Sequence, residues 1–161
     1  MASDYIAAIV SHHSSTLKKL LLPSLWSLGR EVLLNLVSNC PNLVQLAVSL
    51  EDGSFEVIRA CVRAGPKLEA LRFLLPPGSR SLMAQQGEAG IKMHEEVLMI
   101  ECRKEEYKTV RWLGLGDQTF EICGIKTMPD GPGYRRDIRY VRPDDPRLKQ
   151  VEIFGLDSLE I

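Results

Sequence analysis

Leu43-Val44-Gln45-Leu46-Ala47-Val48 is the phrase on which the reading of this chain turns. Apolar residues stand at its first, fourth and sixth positions. The last two are two apart, which is strand spacing, so Leu46 and Val48 point to one face. The phrase recurs over 17–22, 68–73, 110–115 and 148–153. The first three copies start about 25 residues apart, a period that signals stacked repeat units; the later two are more widely spaced. Pro41, Pro66 and Pro146 precede three of the copies. Proline cannot donate a backbone hydrogen bond and restricts the residue before it, so it ends a preceding helix.

Helical spacing fills the intervals. Leu25, Leu28, Val32, Leu36 and Cys40 predict a helix over 24–40, with Ser24 as its cap. Phe55, Ile58, Cys61 and Val62 predict another over 54–64. Ile6, Ile9 and Val10 suit a first helix capped by Ser3 or Asp4. The unit is helix, break, short strand. Units stacked in register give a parallel sheet on one side and helices on the other.

The pattern L-x-x-L-x-L, with Asn39-Cys40-Pro41-Asn42 before Leu43, resembles leucine-rich-repeat proteins. More narrowly, it is similar to the irregular repeats that follow the F-box in fungal substrate-recognition subunits of ubiquitin ligases. The likeness runs through residues 1–75, and through the strand phrase alone over 107–116 and 146–161. No F-box segment is visible, and the asparagine expected after the phrase gives way to Ser49, Leu74 and Gly116. The resemblance implies an α/β, leucine-rich-repeat-like solenoid of short parallel strands backed by helices, with an irregular C-terminal half. It implies one domain over 1–161, regular to 75 and irregular over 76–161, which could belong to a longer chain. It also implies a non-enzymatic module that binds another protein, as in substrate recognition by a ubiquitin ligase.

The second half is less periodic. Pro76-Pro77-Gly78-Ser79 reads as a loop, and Ile91, His94, Leu98 and Cys102 as a helical stripe. Residues 119–125 and 138–141 have β-like composition around the turn cluster 128–133, which predicts a hairpin.

Composition sets outer bounds. The 161 residues carry 20 Lys+Arg and 21 Asp+Glu, a formal net charge of −1. That excludes a domain held to nucleic acid by bulk charge. Cys40, Cys61, Cys102 and Cys123 are widely separated, without the close pair that zinc ribbons use. The most apolar stretch, 20–36, is broken by Pro23, Gly29, Arg30 and Glu31, whereas a membrane span needs about 20 mostly apolar residues. The expectation is a cytoplasmic or nuclear protein with reduced thiols, no cofactor and no membrane contact; the partner's identity and the oligomeric state are not legible.

Strand alternation puts the third, fifth and seventh phrase positions on the face opposite the core. Lys19, Leu21, Arg72, Leu74, Trp112 and Phe154 are the candidate partner-binding residues there. Trp112 stands at their centre, because Trp and Arg are favoured interface anchors. Its truncation is expected to weaken binding and spare the core. Two alternatives come from other residues. A small hydrolase-like enzyme would use His94, Cys123 or Asp130. A nucleic-acid contact would use 134–142, where arginines alternate with Tyr134 and Tyr140. Gly114-Leu115-Gly116 does not extend to a dinucleotide fingerprint, since Thr119 stands at the third glycine position.

Overall fold

The structure, a computed structural model, describes residues 2–74, 87–127 and 134–155. Four copies of the phrase form neighbouring parallel strands: β1 (Lys19–Leu21), β3 (Gln45–Leu50), β4 (Ala70–Leu74) and β5 (Trp112–Leu115). A short β2 (Ser27–Leu28) pairs with the end of β3. Leu20, Leu46, Leu71 and Leu113 lie abreast across the ladder, each the fourth residue of its phrase. The repeat therefore sets the register, because a slip of one residue would turn every apolar side chain to the wrong face.

Helices cover one side of this mixed, mostly parallel sheet. They are α1 (Ala2–His13), α2 (Arg30–Asn39), α3 (Phe55–Ala64) and α4 (Gly87–Glu101). Leu22, Leu46, Val48, Leu71, Phe73, Leu113 and Leu115 meet Ile6, Leu33, Leu36, Ile58 and Leu98 in one core cluster, with Leu20 packed at its margin. Ser54 caps α3 by accepting a hydrogen bond from the Val57 N–H. Cys40, Cys61 and Cys102 are buried in the same core, as their positions on apolar stripes predict. Burial pushes the Cys61 thiol up to about 12, because a thiolate there would lose its hydration.

The helix expected over 24–40 begins only at Arg30. Leu28 pairs with Leu50 as strand, Gly29 takes the N-cap position in extended conformation, and Leu25 is 72% exposed. The 3.6-residue spacing of Leu25 and Leu28 with the later residues is coincidental; the end of β3 offers Leu28 a ladder partner that a helix would forgo.

The hairpin is present. β6 (Gln118–Thr127) runs antiparallel to β5, and β7 (Tyr134–Val141) antiparallel to β6. Gly116 and Asp117 make the two-residue turn from β5, with Gly116 at φ 64°. That geometry suits glycine at the first turn position of a hairpin. The β6–β7 ladder shifts register between Ile122 and Ile125, a bulge at Cys123 and Gly124.

The fifth phrase is not a strand, and this corrects the five-unit solenoid. Residues Pro146–Gln150 form a 3₁₀ turn, followed by the short α5 (Glu152–Gly155). The free edge beside β5 is already taken by β6, so no parallel position remains there. Asp145 caps the turn by accepting from the Arg147 N–H at 2.9 Å, and Pro146 follows it with the φ that a helical first turn requires. Val151 and Ile153 accordingly leave the main core and join a second cluster on the opposite face.

Candidate functional site

The face opposite the helices is where the candidate binding residues meet, and the chain's own C-terminal segment lies across it. Ala47, Ala70 and Trp112 from β3, β4 and β5 pack with Leu148, Val151 and Ile153, joined by Val141 and flanked by Leu21 and Phe154. α5 touches β1, β3 and β4. The side chains of β3–β5 on this face explain the fit. Ala47 and Ala70 are small, and Gly114 has none. A Cβ at Gly114 would stand 2.7 Å from Phe154 Cε1 and 2.8 Å from Arg72 Cγ, so the ring can sit there only because the position is glycine. Close backbone approach is the physical meaning of a glycine inside a strand.

Polar contacts fix the segment along its length. Arg72 Nη1 donates to the Ile153 carbonyl at 3.0 Å, and its guanidinium lies 5.8 Å from the Phe154 ring centroid. Lys19 Nζ pairs with Glu152 at 2.6 Å. Both side chains of that pair are exposed, so it directs register more than it stabilises. At the other end, Arg111 and Arg147 both lie over the Trp112 ring, at 5.3 and 5.9 Å. Glu121, directly across the ladder from Trp112, takes Arg147 at 2.6 Å and Arg111 at 3.2 Å. The Glu121 side chain is only 9% exposed, so its pair with Arg147 is the more consequential ion pair.

Five of the six predicted site residues, Lys19, Leu21, Arg72, Trp112 and Phe154, therefore converge on this segment. Leu74 is buried at the end of β4. Two features differ from expectation. Phe154 comes from the segment lying on the face and not from a fifth strand. Trp112 does point away from the helix-side core, but it is 6% exposed and belongs to the second cluster. Its truncation therefore removes core.

Acid should loosen the turn that presents the segment. The Asp145 carboxyl is held down at about 2, first by the Arg147 side-chain hydrogen bond and then by the Arg147 backbone N–H. A depressed folded-state value means that the contact contributes fully above the ordinary value near 4 and is lost as pH falls through about 2. The stability gap between the native chain and Asp145→Asn should therefore close between about pH 4 and pH 2. Urea midpoints measured across that window check it; a gap independent of pH would contradict the assignment.

The remaining candidate residues lie apart. His94 is buried, with Nδ1 2.6 Å from Gln118 Oε1 and its ring edge-on to Phe120. Cys123 is half-buried and lines a cleft with Lys108, Thr109, Arg111, Glu121 and Arg136; His94 is not among the lining residues. Asp130 lies outside the described residues. In the basic tract, Arg136 is buried, Ile138 and Tyr140 pack against the core, and Arg139 and Arg142 are exposed. Among the described residues, no group of three or more His, Cys, Asp or Glu is placed to hold a metal ion, and no helix is long and apolar enough to cross a membrane.

The cleft itself was not legible as a site, because Lys108, Arg111 and Arg136 come from a 3₁₀ turn, the residue before β5 and the far strand of a hairpin. The 3₁₀ turn Glu105–Thr109 is held by Tyr107, whose hydroxyl donates to the Glu101 carboxylate at 3.0 Å. Glu101 also takes Arg59 at 3.1 Å and Lys104 at 2.8 Å, tying α4 to α3 at that end of the sheet. Comparison with protein-family models, with curated proteins and with solved structures finds no match to this chain.

Proposed function

We propose that the chain is a non-catalytic protein-binding module whose strand face receives a short peptide segment, and that residues 146–155 occupy this face in cis. The observation that carries the reading is the seat at Gly114. A floor of Ala47, Ala70 and Gly114, with Arg72 donating to a main-chain carbonyl, accepts a segment through apolar packing, one main-chain hydrogen bond and one aromatic ring. Such a seat selects by chemistry. Val151-Glu152-Ile153-Phe154 supplies two branched apolar residues, a carboxylate for Lys19 and a ring beside Arg72. A partner segment would carry the same sequence of properties and compete with the resident one. In the terms of the resemblance to F-box proteins, that partner would be a protein selected for ubiquitin transfer.

The test supplies the segment in trans. The full chain carrying Ile153→Asp and Phe154→Ala keeps its helix-side core and loses the resident fit. A synthetic peptide of residues 146–155 should bind this variant saturably and the native chain more weakly. Adding Arg72→Ala should lower affinity roughly tenfold or more, since a charge-assisted hydrogen bond is lost. Absence of peptide binding to a folded variant, or binding indifferent to Arg72, would overturn the reading.

A further inference from the structure

The segment lying on the strand face is joined to the rest of the molecule by Arg142-Pro143-Asp144, which leaves the end of β7. We propose that two copies of this chain exchange residues 146–155 about this hinge, each filling the other's face, as a second, dimeric form of the molecule. The inference rests on the strand-face reading, because the face must accept the segment in trans. Three observations carry it.

The first is that segment and seat are complete without the hinge. Arg147 meets Glu121, the Ile153 carbonyl meets Arg72, and the Phe154 ring sits over Gly114. All of these contacts are made by residues beyond 145, and the apolar ones form a cluster separate from the helix-side core. A segment from a second copy would make the same contacts on the same side chains. Exchange of an identical element needs no new interface, which makes it an accessible route to a dimer.

The second is how lightly the hinge is fastened. Arg142, Pro143 and Asp144 are all exposed. The chain reversal is held by the Asp145 N–H donating to the Arg142 carbonyl at 3.0 Å and by an Arg142–Asp144 ion pair at 3.4 Å, with side chains 80% and 77% exposed. A pair so exposed contributes little. Pro143 turns Arg142 away from helical geometry toward extended backbone and holds its own φ at a value that edge strands accept. The hinge is thereby predisposed to continue β7 straight on.

The third is what an opened hinge meets. β7 is the last strand of the sheet. The Tyr140 N–H donates to the Glu95 carboxylate of α4 at 3.1 Å, so it points to the outer edge. Backbone groups alternate in direction along an antiparallel strand. In an extended hinge Arg142 therefore presents its N–H and C=O to the same outer edge, and Pro143, which has no N–H, faces the β6 side. Two such hinges pair antiparallel about a twofold axis at Pro143. Arg142 of each copy then stands opposite Asp144 of the other, so the charges that pair within the closed hinge pair between copies in the open one. Glu95 closes the edge at Tyr140 and confines this ladder to the hinge. The pairing exists only in the dimer. It offsets the effective concentration of the linked segment, which favours the closed monomer in dilute solution.

The test uses two full-length variants, each lacking one half of the fit. Ile153→Asp with Phe154→Ala spoils the segment and keeps the face; Gly114→Val blocks the face and keeps the segment. Each alone should be monomeric by light scattering. Their equimolar mixture should give a heterodimer that the peptide of residues 146–155 dissolves. The native chain, refolded at high protein concentration, should give a dimer fraction several-fold above that of Pro143→Gly. In a dimer made from isotopically labelled and unlabelled copies, the Phe154–Gly114 contact should run between copies. A mixture that stays monomeric while the peptide still binds the first variant would overturn the exchange and leave the strand-face reading standing. Loss of peptide binding as well would overturn both. A native chain that refolds only to monomer at every concentration, or a dimer whose Phe154–Gly114 contact stays within each copy, would also overturn the exchange.

Discussion

Leu46→Ala should lower the stability of the chain by ~2–5 kcal/mol, the cost of a deleted core leucine and the cavity it leaves. Leu46 is 0% exposed, lies between Leu20 of β1 and Leu71 of β4, and faces the helices. Neighbours on both sides are in the ladder and cannot collapse inward without breaking its register, which favours the upper part of that range. The adjacent Ala47 belongs to the other face, so the effect of Leu46 reports on one layer alone. Urea denaturation reads the result directly. A midpoint unchanged by the substitution would mean that the aligned fourth positions do not form the core.

The second large effect is on the opposite face. Trp112→Ala should cost ~3–5 kcal/mol, in contrast to the small loss that a freely exposed anchor would show. Trp112 packs with Val151 and Ile153, and its ring carries Arg111 and Arg147. Removal empties the space beneath the C-terminal segment and detaches the two guanidinia from the ring, leaving them to Glu121. The loss should be accompanied by release of the segment before the helix-side core melts. Differential hydrogen exchange of residues 148–154 against 45–50 checks this order. A Trp112→Ala protein of native stability, with 148–154 still protected, would contradict the second cluster.

The sequence carried the ladder because two signals agree in it. Apolar residues two apart assign a face, and the phrase alignment assigns the register, so Leu46 finds Leu71 and Leu71 finds Leu113. It carried α3 because Ser54 stands one residue before a clean apolar stripe. It did not carry the fate of 148–153, since Leu148, Val151 and Ile153 satisfy the strand phrase while Leu148, Val151 and Phe154 fall at the three-residue spacing of a tight helical turn. Asp145-Pro146 tipped the balance, as a cap followed by a first-turn proline; read only as a helix breaker, the same pair points to a strand. Which element takes the edge of β5 is a tertiary matter, decided when β6 folds back at Gly116. The candidate face was legible as a face through Ala47, Ala70, Arg72, Trp112 and Gly114. Its occupant was not, because periodicity gives the direction of a side chain and says nothing about what arrives to cover it. Gly114 held a local signal, a missing side chain on the strand face opposite the helices.

The central claim is that residues 146–155 seat on the strand face in cis, with the Phe154 ring over Gly114. The most direct measurement is a nuclear Overhauser contact between the Phe154 ring protons and the Gly114 α-protons in the full chain at neutral pH. The account predicts a strong cross-peak, ring-current displacement of one Gly114 α-proton, and loss of both in Phe154→Leu. Absence of the cross-peak, with Phe154 at unfolded-chain shifts and Gly114 undisplaced, would contradict it.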